Sequence, residues 1–357
     1  MRCHAPESPA ALAWVPLLLL AVIQGVALGA TPRESFLLDV AAHVRYLVAI
    51  PLLIAAEPWC LPQLAEVARH FASAGLVVGE DRVRLEALMG SARSGLDHRG
   101  AEVVLAAAAY AGTAWLIVSA YPLDAPTWTG TSRGLTLAGW WRALVSHPLF
   151  LVLSAGWLWR VGVWARFLWG VSRLRLRLVP AHPDLAAGLH FLAVSLRAFG
   201  PVALAVGAVV AGTVAEQIVH AAPPPQTSRQ VAAAIAAVVV ALVLFAGPLL
   251  AFFGPLRRAR MRGIFDYGAL AGALGRRFEE RWLRTGRLDP EALKSPDFSA
   301  TTDLYSIVGN VRQTGLLPVG VRDVVPLVVV TLVPFIPLLF LLVPVDEMLS
   351  HVASFFF

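Results

Sequence analysis

The sequence predicts an all-α fold, a polytopic transmembrane helix bundle of about seven spans with short amphipathic cytoplasmic helices. Three observations carry that prediction. Hydrophobic residues make up 58% of the 357 and charged residues only 15%, with a mean hydropathy of +0.70, against about 45–50% and about 25% in soluble globular chains. Apolar runs recur at the length, about 20 residues, that a helix needs to cross a bilayer core of about 30 Å. Basic residues collect in alternate connections between those runs. Together these exclude a soluble enzyme, a disordered chain and a disulfide-rich secreted domain. The two cysteines, Cys3 and Cys60, fall on segments read as cytoplasmic, so no disulfide framework is implied.

The spans, all within one integral membrane domain, are 12–29, 36–56, 103–121, 149–169, 198–218, 231–253 and 324–345. The first is read as a retained helix. Its rival is a secretory signal ending at Ala27-Leu28-Gly29, which would leave six spans. The second carries Asp39, His43 and Arg45, and its uncharged remainder, 46–56, is too short to cross alone. It is read as a true span because its neighbours then fall into register. On that topology 22 of the 29 basic residues lie at the N-terminus and in 57–102, 170–197 and 254–323. Arg33, Arg133, Arg142 and Arg229 face the other side, and Arg45, Arg160 and Arg166 lie within spans. Cytoplasmic connections carry the excess of Lys and Arg, so the N-terminus is cytoplasmic and the C-terminus lies on the opposite side. The net charge of +6 is thereby an orientation signal, and no nucleic-acid partner is invoked.

Two cytoplasmic stretches carry helical periodicity. Leu64, Val67 and Phe71, then Val83, Leu85 and Leu88, predict two short amphipathic helices separated at Gly75 to Gly79. After the sixth span, Arg257, Arg258, Arg260 and Arg262 crowd the membrane edge. They serve topology in the plain reading and anionic lipid headgroups in the sharper one. Ile264, Tyr267, Leu270, Ala271, Leu274, Phe278 and Trp282 then trace one helix face. Residues 287–300, with Pro290 and Pro296, read as a loop before a helix around 301–311. Trp128, Trp140 and Trp141, with Trp157, Trp159, Trp164 and Trp169, read as an interfacial belt and lipid-facing packing.

The ionisable residues inside spans are the candidates for function, since such groups are costly in a bilayer and face a bundle interior or a watery cavity. Asp39, His43 and Tyr46 share a helix face at i, i+4 and i+7, with Arg45 on another. Asp39 and His43 fit a proton relay or cation site. They equally fit a carboxylate at a helix N-terminus with a histidine paired to it. Near the outer end of the fifth span, Glu216 and His220 stand at i, i+4 and complete, with Arg197, a candidate polar pathway. The two-carboxylate, two-histidine set has the composition of a divalent site, but no ligand spacing demands a metal and none is assigned. Ala203, Gly207, Ala211 and Ala215 form a small-residue ridge for close helix packing. At the cytoplasmic face His182, Asp184 and His190 make a polar cluster whose plain role is helix capping. Pro334 and Pro337 kink the last span, with Pro326 and Pro344 towards its ends.

The signatures of a P-loop, a zincin, a Cys-x-x-Cys site and a nucleophile elbow are missing from the sequence, and no cofactor is implied. The stretch from Leu178 to Leu192, built on His182-Pro183-Asp184, resembles a segment of bacterial multi-pass membrane proteins of uncharacterised function. Asp297-Phe298 through Asp303-Leu304 and the ending Val343-Pro344-Val345-Asp346-Glu347 are similar as well. The resemblance implies a bacterial inner-membrane protein and transfers no activity or site residue. The function favoured by the residues is passage of an ion or small solute through a polar pathway between the second and fifth spans. The alternative is a non-catalytic membrane scaffold or assembly partner. The lipid bilayer is the one partner implied.

Overall fold

In the computed structural model, which describes residues 9–120, 126–131, 134–220, 227–283 and 296–338, hydrocarbon chemistry dictates the outcome. A backbone that cannot bond to water must satisfy itself, and a helix does so within one segment. The described elements are α1 (Pro9–Ile23), α2 (Val40–Ser73), α3 (Glu80–Leu96), α4 (Arg99–Ala120), α5 (Leu137–Ser172), α6 (Ala193–Ala198), α7 (Gly200–His220), α8 (Ser228–Trp282), α9 (Pro296–Gln313) and α10 (Val321–Leu338). One two-stranded hairpin, β1 (Gly130–Thr131) and β2 (Gly134–Leu135), joins them. Six helices, α2, α4, α5, α7, α8 and α10, are long and apolar enough to cross a membrane. The chain is a polytopic helix bundle.

The first predicted span is corrected. Helix α1 has 15 residues, about 22 Å of rise, and stops at Ile23. Residues 24–38 turn back on themselves, with Phe36 N–H donating to the Val26 carbonyl at 3.0 Å and Leu37 N–H to Ala27 at 3.1 Å. Apolar composition alone concealed that turn.

Several spans also outrun the bilayer. Helix α2 continues for 34 residues, about 50 Å, so the first predicted amphipathic helix is the extension of the second span. Pro58 and Pro62 do not stop it, because Cys60, Leu64, Val67 and Phe71 bury one continuous stripe. Cys60 Sγ donates to the Ala198 carbonyl at 2.7 Å, and Phe71 stacks on Phe252 with centroids 6.0 Å apart. The break falls where the glycines place it: Gly75 and Gly79 adopt φ of +66° and +64°, which other residues enter only with strain. Helix α8 likewise runs 55 residues and forms an antiparallel hairpin with α9, tied by Arg260 Nη2 donating to the Arg312 carbonyl at 2.8 Å.

The ridge on α7 works as the small residues require. Ala203, Ala211 and Ala215 are buried, and a Cβ on Gly207 would collide with the Thr331 carbonyl oxygen of α10. Close backbone approach, in place of a hydrophobic drive that lipid cannot supply, holds this pair together.

Connections gather at two opposite ends. At one, Val77 bridges Leu176, Arg177 N–H donates to Leu76 carbonyl at 2.8 Å, and Thr314 Oγ1 donates to Pro180 carbonyl at 2.8 Å. This is the arginine-rich end. At the other, Trp128 N–H donates to Arg33 carbonyl at 3.1 Å and Ala138 N–H to Gln24 Oε1 at 3.2 Å. The segregation of the described loops matches the charge pattern. Cys3, Arg2, Arg133, Pro290, Pro344 and the ending Val343-Pro344-Val345-Asp346-Glu347 lie outside the described residues.

Candidate functional site

Asp39 is the N-cap of α2, with φ −78° and ψ 82°. Its Oδ1 accepts from Ala42 N–H at 2.7 Å and its Oδ2 from Trp128 Nε1–H at 2.9 Å. A second carboxylate serves the same helix end, as Glu216 of α7 reaches across and accepts from Ala41 N–H at 3.2 Å through Oε2. These bonds supply partners to otherwise orphaned first-turn N–H groups, and negative charge suits that end of the helix dipole. His220 closes the group, with Nδ1 3.4 Å from Glu216 Oε1.

His43 does not join them. Its Nδ1 accepts from Trp14 Nε1–H at 2.9 Å, and its Nε2 lies 3.2 Å from the Leu37 carbonyl, within an aromatic nest of Trp14 and Phe36. The expected Asp39–His43 pair therefore fails. The i, i+4 rule presumes helical geometry at both residues, whereas a cap residue lies outside the helix. Arg197 also leaves the set. It is exposed in α6, next to Ala198, which binds Cys60. Cys60 stands about 30 Å along α2 from Asp39.

Around Asp39 and Glu216 opens a polar cavity of about 300 Å³, lined by Arg33, Asp39, Ala41, Arg45, Thr127, Trp128, Thr129, Arg142, Glu216 and His220. Two π-helical turns supply its deepest cations: Val44–Ala49 carries Arg45, and Arg142–Ser146 opens on Arg142. Such turns insert one residue, shift the register of the following side chains, and concentrate at functional sites. The Arg142 guanidinium stands 5.4 Å from the Trp128 ring centroid, so that one indole is flanked by a cation on its face and a carboxylate at its N–H.

The charge balance of the cavity is uneven. Three of the four oxygens of Asp39 and Glu216 accept from a backbone amide or an indole, and the fourth, Glu216 Oε1, lies 3.4 Å from His220 Nδ1, itself 2.8 Å from the Glu216 backbone carbonyl. Arg33, Arg45 and Arg142 form no ion pair within 4.0 Å among the described residues. Beside them lie three buried polar atoms without a partner at hydrogen-bonding geometry: the Tyr46 hydroxyl and both ring nitrogens of His147. Arg142 and Arg45 are charged neighbours of both side chains, with Arg142 nearest the Tyr46 hydroxyl and Asp39 a further charge near Tyr46. Such groups cost about 1–3 kcal/mol each when left unpaired. Below them the bundle is apolar: Trp157, Leu53, Phe199 and Phe245 are buried in one cluster.

The arginine-rich end uses the same residue types differently. Asp184 accepts from the N–H groups of Ala186, Gly188 and His190 at 2.9, 3.1 and 3.1 Å, and His182 Nδ1 stands 2.8 Å from its Oδ1. Burial works against its ionised form, yet these four contacts together hold its carboxyl below the usual range. The expected helix start is instead an irregular turn, with Leu185 and Ala187 at φ of 56° and 55°, and regular helix begins only at Ala193. His190 Nε2 lies 3.6 Å from Asp323, which caps α10 through Gly320 N–H at 2.8 Å. Of the arginine cluster, Arg257, Arg258 and Arg262 are exposed, whereas Arg260 is engaged with Arg312.

Sequence reasoning missed Arg142, Arg33, Trp128 and His147 as site residues. Arg142 reads as loop because Trp140, Trp141 and Arg142 break the apolar run, although α5 already begins at Leu137. Trp128 reads as an interfacial tryptophan. It is 3% exposed, while Trp140, Trp159 and Trp169 do keep the exposure of a belt. Among the described residues no group of three or more His, Cys, Asp or Glu has the arrangement of a metal centre. The chain matches no family model, no curated protein and no solved structure.

Proposed function

We propose that this membrane protein passes a small solute through the bundle, with the cavity between α2, α5 and α7 as its binding site. One observation carries the reading: charged and polar groups from separate elements converge on an open volume at one end, above a dry apolar floor. A polar half-pathway ending at an apolar barrier is the arrangement expected of one access state. The helices around that barrier hold the irregular backbone that a change of access would use. Helix α8 switches from π to 3-10 geometry over Leu242–Phe252, and α10 passes from α to 3-10 geometry at Val333–Phe335, where Pro334 sits. We place the arginine-rich end in the cytoplasm of a bacterial inner membrane, so the cavity opens to the opposite side. Arg257, Arg258 and Arg262 then face anionic headgroups.

The test is uptake into proteoliposomes of labelled small carboxylates, phosphate, amino acids and monovalent cations. Arg45→Ala and Asp39→Asn are compared with the wild type. Flux of at least one solute, reduced in both variants, is the expected result; equal flux in all three proteins removes the site assignment. A second reading, assembly of a partner on the α8–α9 hairpin, rests on Phe265 and Leu270, which are 68% and 55% exposed. Absence of flux with retained self-association or partner binding would move the balance to it.

A further inference from the structure

We propose that the cavity takes an oxyanion, a carboxylate or phosphate group, held between the Arg45 and Arg142 guanidiniums with Arg33 at its mouth. The inference rests on the solute-site reading above and names the chemistry of the solute. The first support is valence. A cavity lined by two carboxylates and three arginines would keep one surplus arginine even if the groups paired, and they do not pair. The carboxylates are committed to the first turn of α2, to the Trp128 indole and to His220. The three arginines line the cavity and form no ion pair among the described residues. An unpaired guanidinium in a membrane interior is costly, and each carries five donors in a fixed fork that matches an oxyanion in two-point contact.

The second support lies beside the arginines. Tyr46 is fully buried with Arg142 as the nearest polar neighbour of its hydroxyl, and both ring nitrogens of His147 lack a partner at hydrogen-bonding geometry. Buried polar atoms are almost always satisfied, and exceptions call for an account. Here both side chains feel the charges of Arg142 and Arg45 but lie behind the cavity wall, outside its lining, so they leave the two guanidiniums without a carboxylate from that side. A cation would find the opposite balance: three like charges against two carboxylates that already serve the first turn of α2 and the Trp128 indole. The Thr127 and Thr129 hydroxyls, 2.9 Å apart on the cavity wall, share one bond, and Thr127 also lies 3.4 Å from the Gly130 carbonyl, so the pair adds at most one neutral donor.

The same chemistry has two sources, a soluble anion and a phospholipid headgroup. Purified full-length protein in a zwitterionic-lipid nanodisc is titrated with inorganic phosphate, succinate, glycine and lysine. Binding is read by calorimetry and by the thermal unfolding midpoint. The expected result is binding and a raised midpoint with phosphate or succinate and a much weaker response with lysine, whose single carboxylate is outweighed by two ammonium groups. Arg142→Gln and Arg45→Gln are expected to weaken binding about ten- to a hundredfold, the loss for one charge-assisted pair, while remaining folded. Arg142→Lys and Thr129→Val guard against a folding artefact. The lysine variant keeps charge without the fork and is expected to bind at intermediate strength, and the valine variant is expected to weaken binding severalfold. If soluble anions fail but anionic phospholipid raises the midpoint in an Arg142-dependent manner, the oxyanion is a headgroup, and the proposal holds. Preference for lysine, equal anion binding in the arginine variants, or no response to anion or anionic lipid overturns it. The two readings separate in the vesicle assay. Arginine-dependent anion binding without flux sinks passage and leaves the oxyanion site. Arg45-dependent flux of a cation does the reverse.

Discussion

The two ends of this bundle use the same side chains to opposite purposes. At the arginine-rich end, Asp184 gathers three backbone amides and His182 around one carboxylate, and Asp323 caps α10 while meeting His190. Every polar group named there is spent on holding the turn that joins α5, α8, α9 and α10. At the cavity end, Asp39 and Glu216 are spent in the same way on α2, but three arginines and three buried polar atoms are left over. The lesson is that a buried acid identifies no function by itself. What identifies a candidate site is the polar capacity that remains once structural bonds have been counted.

Removing Asp184 should break the contrast most strongly. In Asp184→Ala three amides lose their acceptor while Leu185 and Ala187 stay in a costly left-handed conformation. A loss of about 3 kcal/mol or more is expected, read as a large drop in the detergent unfolding midpoint. The same carboxyl sets a pH dependence. Its native value is held below the unfolded one, so its contribution is complete above about pH 4 and is lost as pH falls through the native value. In Asp184→Asn that acid-side loss should flatten in a midpoint-against-pH series.

A smaller effect is expected at the other end. Trp128→Phe removes the donor to Asp39 Oδ2 and the better cation-π face for Arg142, which should cost about 1–2 kcal/mol. Unfolding midpoints of the single variant and of Trp128→Phe with Asp39→Asn would show whether the two changes are coupled, as the shared bond requires. Arg142→Gln sharpens the comparison by its size. Removing an unpaired cation from a membrane cavity offsets the lost cation-π contact with Trp128, so stability should change by less than about 1 kcal/mol while ligand binding weakens about ten- to a hundredfold. A stability loss as large as that of Asp184→Ala would mean that Arg142 is structural. Arg197→Ala, at the exposed surface of α6, should change neither stability nor flux, and a flux defect there would restore it to the pathway.

Much of this was legible in the sequence. Apolar run length and the distribution of Arg gave the bundle, its two-ended charge and the burial of α7 through Ala203, Gly207, Ala211 and Ala215. Asp39, Arg45, Glu216 and His220 were legible because ionisable residues inside apolar runs are rare. His43 and Arg197 misled for separate reasons. A cap residue does not obey helical periodicity, and a charge near a span terminus has no depth until the helix is placed. Tyr46 was legible on the face it shares with Asp39, whereas Arg142 became a site residue through a π-helical turn and its contact with Trp128, and a single sequence carries no signal for either. The length of α2 was hidden because the apolar run ends near residue 56, whereas the helix continues through Pro58 and Pro62 on a continuous buried stripe.

The central claim is that a water-open polar volume exists at the end opposite the arginine-rich loops and is sealed beneath by apolar side chains. Its most direct measurement is labelling of single cysteines by a membrane-impermeant maleimide in intact spheroplasts, with Cys3 and Cys60 replaced by serine. Thr129→Cys in the cavity wall should label from outside and be protected by phosphate or succinate, while Leu53→Cys in the apolar floor should not label. No labelling of Thr129→Cys, or labelling only after the membrane is opened, would contradict the account.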